Sequence, residues 1–143
     1  MNTVSKTTGY RMSKGFYYFM SFTWGILVTL CGLVISGVLL LLRFKPHKNV
    51  YGWYFEVGFG WGGFSAGPCQ VICKNCSDSV KAHEFGHSIQ NCIFGPWMII
   101  FVIIPSVLRY WYREIKNVHE PEYDYAWFEQ QATMFGQRYK GCE

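Results

Sequence analysis

Hydrophobic positions fall into two apolar blocks separated by a mixed, glycine-rich middle. The first runs from Gly15 to Leu42, 28 residues without a charged side chain. That exceeds the roughly 20 residues a helix needs to cross a bilayer core. Residues 15–43 are therefore expected to form one transmembrane helix behind a polar, basic arm over 1–14. A cleaved signal peptide would have a shorter apolar region and a small-residue cleavage site. Here the block closes on Leu42-Arg43-Phe44-Lys45-Pro46, which reads as a retained anchor. The second block, Pro96 to Leu108, has 13 residues and is interrupted by Pro105. Thirteen helical residues rise about 20 Å, short of a roughly 30 Å hydrocarbon core. Residues 96–112 are accordingly expected to dip into one leaflet and return. Arg109 to Lys116 is amphipathic and basic, suited to a headgroup layer.

Between the blocks the pattern changes. Tyr51 to Val57 is rich in β-formers, Gly58 to Gly63 holds four glycines around Phe59 and Trp61, and Phe64 to Cys73 is a second run able to pair with the first. A small sheet of two or three strands follows, with a glycine-rich turn that lacks the G-x-x-x-x-G-K-[ST] phosphate pattern. Ser77, Asp78 and Ser79 offer helix N-caps and Gly95-Pro96 a stop, which predicts a helix over about 79–94. A last helix is expected over about 122–139. The fold class is thus an α+β membrane protein with one N-terminal transmembrane helix, and residues 44–143 form a single membrane-associated domain.

Composition fits that picture. Half the residues are hydrophobic and 15% are charged, against about a quarter in soluble domains. The net charge of +4 is mild, and no Lys/Arg cluster is interleaved with aromatics, so nucleic acid is not an expected partner. Six cysteines are present, and Cys31 sits in an apolar block without an obvious partner, so most are expected to be free thiols.

The predicted helix over 79–94 carries His83-Glu84-Phe85-Gly86-His87. Two histidines four apart share one face of a helix, so both imidazoles can reach a single ion. Glu84, beside the first, can point at a water on that ion and take and return a proton. This is the H-E-x-x-H arrangement of zinc peptidases, and zinc is the implied cofactor. Such a site needs a third ligand from elsewhere. Candidates are Glu129, Glu56, Asp124, Glu122, His119, Cys73 and Cys76. Glu129 is preferred because it lies mid-helix, with small Ala132 one turn on to allow close packing. A closed set of Cys73, Cys76, His83 and His87 has suitable ligand types. Its Cys76-to-His83 spacing is shorter than a zinc finger's, and it leaves Glu84 without a role.

On these residues the chain resembles a minimal integral-membrane gluzincin. The resemblance covers roughly Tyr51 to Gly136 and rests on His83, Glu84 and His87, with Glu129 followed by Ala132 and Gly136. Thr133 stands where gluzincins often carry an acidic residue that supports a motif histidine. The resemblance implies a zinc peptidase acting on a peptide or membrane-protein substrate, with zinc on His83, His87 and Glu129 and Glu84 as general base. It also implies an oxyanion donor, for which Tyr123, Tyr125, Tyr139 and His119 are candidates. The substrate backbone would add to a strand edge at Phe64, Ser65, Ala66 and Gly67. Two other classes remain: a non-catalytic zinc-stabilised membrane scaffold, and a transporter subunit, disfavoured because one segment spans. The expected location is the cell membrane. Free thiols and the basic residues Arg109, Arg113 and Lys116 point the catalytic part to the cytoplasmic side. Substrate identity and oligomeric state are not legible.

Overall fold

The structure, a computed structural model, describes residues 11–117 and 126–139. The first apolar block is two helices, α1 (Lys14–Phe22) and α2 (Ile26–Leu41), set at 94° to each other. This corrects the single transmembrane helix expected over 15–43. At 1.5 Å per residue α1 rises about 14 Å and α2 about 24 Å, each below the roughly 30 Å of a bilayer core. Among the described residues no single helix is long and apolar enough to cross a membrane. Two contacts accompany the bend, one local and one between distant parts of the chain. Thr23 Oγ1 donates back to the Phe19 carbonyl at 2.6 Å. At Gly25 a side chain would strike Asn91, 66 residues along the chain.

The faces of α2 are sorted in an unusual way. Its buried residues are Val28, Thr29, Gly32 and Ser36, while Leu27, Leu30, Val34, Val38 and Leu41 are exposed. Gly32 is packed so closely on the Ala66 carbonyl that a Cβ would overlap it. Ser36 Oγ donates to the Gly32 carbonyl and accepts from Trp53 Nε1, both at 2.8 Å. Beside the apolar Val28 and the half-buried Ile35 and Leu39, small and polar groups face the protein, while much of the helix's large apolar surface faces outward.

The middle of the chain forms a four-stranded sheet, β1 (Pro46–Lys48), β2 (Trp53–Phe59), β3 (Gly63–Ala66) and β4 (Cys69–Lys74), in the order β1-β2-β4-β3. The sheet expectation is corrected at two points. It has four strands rather than two or three, because Pro46 to Lys48 adds an antiparallel edge strand. The run Phe64–Cys73 is two strands, because Gly67, at φ 62°, and Pro68 fold it into a hairpin. Strand β2 then pairs with the second half of that run, in parallel. Strand β3 is left as an edge.

Helix α3 (Asp78–Phe94) follows, close to its expected bounds, and stops at Gly95 (φ 55°), whose Cβ position is filled by the Trp24 ring. A short 3-10 turn (Gly95–Trp97) and a π-helical turn (Ile99–Ile103) lead into α4 (Ile104–Lys116), and the chain folds back by 118° across this junction. Helix α5 (Trp127–Tyr139) closes the described chain. One core cluster joins α1, α3 and α5 through Tyr17, Phe85, Ile89, Cys92 and Tyr139. A second joins Val28 of α2 to Met98, Val102 and Phe128.

Candidate metal centre

The centre is made where α3 crosses α5, and small residues permit the crossing. Gly86 lies so near the Ala132 carbonyl, and Gly136 so near the Ala82 carbonyl, that a Cβ on either glycine would overlap its neighbour. Ala82 and Gly86 are one turn apart on α3, as are Ala132 and Gly136 on α5. The contact is therefore reciprocal, backbone against backbone. Glu129, one turn before Ala132, is carried by this contact to the two histidines.

His83 Nε2 lies 2.9 Å and His87 Nε2 3.2 Å from the same atom, Glu129 Oε2. The three donor atoms lie within 4.8 Å of one another, a group that can hold a metal ion. Glu129 has no solvent exposure, and its other oxygen, Oε1, accepts from Ser106 Oγ at 2.6 Å.

The hydrogen bonds behind the ring decide what the centre needs. Gln90 Nε2 donates to the Phe128 carbonyl at 2.8 Å and to Gln131 Oε1 at 2.9 Å, which fixes the orientation of its amide. Gln90 Oε1, 2.7 Å from His87 Nδ1, must then accept, so Nδ1 carries the hydrogen. In neutral His87 the bare Nε2 lone pair would face a carboxylate oxygen. Two acceptors at that distance require a cation between them, a proton or a metal ion. His83 Nδ1 is placed similarly, 2.8 Å from Thr133 Oγ1. Thr133 thus supports His83 with a hydroxyl.

Charges follow the geometry. Burial alone would push the Glu129 carboxyl up, but the hydrogen bonds from His83 and His87 hold it well below the usual carboxylate range. Burial pushes His87 down, and the bond to Glu129 with the charges of Glu84 and Glu129 outweighs it, so His87 is raised. Glu84 is raised mainly by burial, against the lowering influence of His87 and His83. Its Oε2 is buried with no hydrogen-bond partner. Gly63 of β3 packs on Glu84, and a Cβ there would press on the Glu84 Cγ. The edge strand therefore borders the catalytic-base candidate.

The remaining expected site residues are distributed as follows. Phe64, Ser65 and Ala66 lie on edge strand β3, while Gly67 is in the turn after it. Tyr139 is a core residue: its hydroxyl accepts from the Met12 N–H at 2.7 Å and its ring packs on Phe85. His119, Glu122, Tyr123, Asp124 and Tyr125 lie outside the described residues. Glu56 is on β2, apart from the metal-binding group. Cys73 and Cys76 form a disulfide. Cys31, Cys69 and Cys92 are free thiols, and the pairing removes Cys73 and Cys76 from a closed Cys₂His₂ set. Gln90 and Ser106 were not anticipated. Gln90 carries a faint signal, being three residues after His87 on the same helix. Ser106 carries none. No described protein family, curated protein or solved structure matches this chain.

Proposed function

We propose that this chain is a membrane-associated, zinc-dependent peptidase. The observation that carries the reading is the convergence of two imidazole nitrogens on one carboxylate oxygen, beside a buried glutamate with an unpartnered oxygen. Zinc on His83, His87 and Glu129 would supply a Lewis acid for the peptide carbonyl and a water whose pKa falls to about 7. The work of the chain is to hold and move a proton. Glu84 Oε2 takes the proton from the attacking water and passes it to the leaving nitrogen, returning to the carboxylate. Ser106, Thr133 and Gln90 fix the orientation of the ligand side chains. Edge strand β3 offers main-chain groups to an extended peptide alongside Glu84.

Membrane association is supported by the outward apolar face of α2. Neither α1 nor α2 is long enough to span alone, so the proposal is of a bent pair inserted in the bilayer. With Cys73 and Cys76 paired, the thiol argument for the cytoplasmic side weakens, and the proposal for that side rests on Arg109, Arg113 and Lys116.

The test is Glu84→Gln, which keeps shape and removes the base. Zinc content should match the wild type while hydrolysis of a peptide library in lipid nanodiscs falls by at least about 10²-fold. A wild type that binds zinc and cleaves nothing, with Glu84→Gln retaining the cellular function, would instead support the non-catalytic zinc-stabilised scaffold.

A further inference from the structure

Helix α4 has no buried residue. Ile104, Val107, Leu108, Trp111 and Ile115 recur at the spacing of one helix face. Three of them are among the more exposed side chains of the protein, Ile115 at 75%, Leu108 at 65% and Trp111 at 58%. Ser106, Arg109 and Arg113 recur at three and four residues along the opposite face. From that opposite face Ser106 reaches Glu129. One helix therefore turns an uncovered apolar stripe outward and a hydroxyl inward to the candidate metal ligand.

The occupant of the stripe can be argued from its surroundings. The π-helical turn before α4 shares a core cluster with α2, through Val102 and Val28. The outer faces beside that cluster, Ile100 and Phe101 on one side and Leu27 and Leu30 on the other, are likewise exposed. The stripe thus continues the outward apolar face of α2. So long an apolar surface is foreign to a monomer in water. Tyr110, Trp111 and Tyr112 are the residues that settle at headgroup depth. Lys116, exposed and off the apolar stripe, adds a basic residue of the kind found on a helix lying in the membrane interface.

We propose that α4 docks by this stripe on a lipid bilayer and that docking holds Glu129 in its ligand position through Ser106. The proposal rests on the metal-centre reading and adds its regulation: the membrane sets the metal affinity. The Ser106 hydroxyl occupies Oε1 and leaves Oε2 turned to the histidines. An α4 lifted from its lipid support withdraws that hydroxyl and frees the carboxylate to rotate. Loss of such a supporting bond typically weakens metal binding 10–100-fold.

The experiment uses the full chain in phosphatidylcholine nanodiscs. Insertion is read, without added metal, as quenching of Trp111 by acyl-brominated lipids, isolated by difference against Trp111→Phe. Zinc affinity is read by chelator competition. Trp111 should be quenched best by bromines high on the acyl chains, next to the headgroup–acyl boundary. Leu108→Glu with Ile115→Glu, both at exposed positions, should abolish the quenching and weaken zinc about 10–100-fold. Ser106→Ala should keep the quenching, weaken zinc equally, and render the stripe substitutions without further effect. Trp111 unquenched at every depth, or quenched only when two copies share a disc, would overturn the docking. Wild-type zinc affinity in the stripe variant would overturn the coupling. A wild type that takes up no zinc would overturn the coupling together with the metal reading, and Trp111 quenching would show that outcome to be separate from failed docking.

Discussion

At the scale of single residues, the centre turns on the tautomer of His87. Gln90 places the hydrogen on Nδ1, so Nε2 meets Glu129 either as an imidazolium or across a metal ion. The two states respond oppositely to pH. Without metal, the raised His87 contributes stability that is fully present below about pH 6.5 and is lost as pH rises through its folded value. The lowered Glu129 contributes above about pH 4.5 and is lost only as pH falls through its folded value. Glu84, a raised carboxyl, adds to the loss on going up in pH. Metal must displace the Nε2 proton, so its stabilisation grows with pH. Melting curves in chelator should therefore show lower stability at pH 8 than at pH 6, and the zinc-induced rise in Tm should be larger at pH 8. In Gln90→Ala zinc binding should weaken 10–100-fold; unchanged affinity there would remove the tautomer argument. The motif triad was legible in the sequence because a spacing of four on a helix is sufficient to join two imidazoles. Glu129 was legible from its place one turn before Ala132. Ser106 was not, since its role comes from a contact between helices that no local pattern records.

At the scale of elements, the crossing of α3 and α5 is the part that makes the site. Both glycines in it are positions where a Cβ has no room. Gly86→Val should force the helices apart, costing at least about 1–3 kcal/mol by overpacking and abolishing zinc retention. Gly37→Ala is the control. Nothing lies within 4 Å of its Cβ position, and replacing a mid-helix glycine should leave stability equal or higher by about 0.5–1 kcal/mol. Urea unfolding with metal analysis of both variants checks this, and zinc retained by Gly86→Val would refute it. The same scale explains two misreadings of the sequence. At the bend between α1 and α2, Gly25 meets Asn91, 66 residues along the chain, a contact that composition alone does not report. The split of Phe64–Cys73 was marked by Gly67-Pro68, a turn signal that the apolar run around it obscured.

At the scale of the whole molecule, an apolar core of Phe55, Ile72, Phe85, Ile89 and Met98 is accompanied by buried polar side chains, Thr29, Ser36, Gln70, Gln90 and Asn91, while Leu41, Leu42, Leu108 and Ile115 are exposed. On this body, whose α2 and α4 turn apolar faces outward, the candidate metal centre is bordered by a β-edge. The apolar character was plain from the sequence, and its arrangement as bent helix pairs was not. The account stands or falls on which atoms hold the metal. The most direct measurement is zinc K-edge X-ray absorption on the full chain loaded with one equivalent of zinc. The account predicts a first coordination sphere of nitrogen and oxygen alone at about 2.0–2.2 Å, with the scattering signature of two imidazoles, and its loss in Glu129→Ala. A sulfur shell at about 2.3 Å, or an unchanged spectrum in Glu129→Ala, would contradict it.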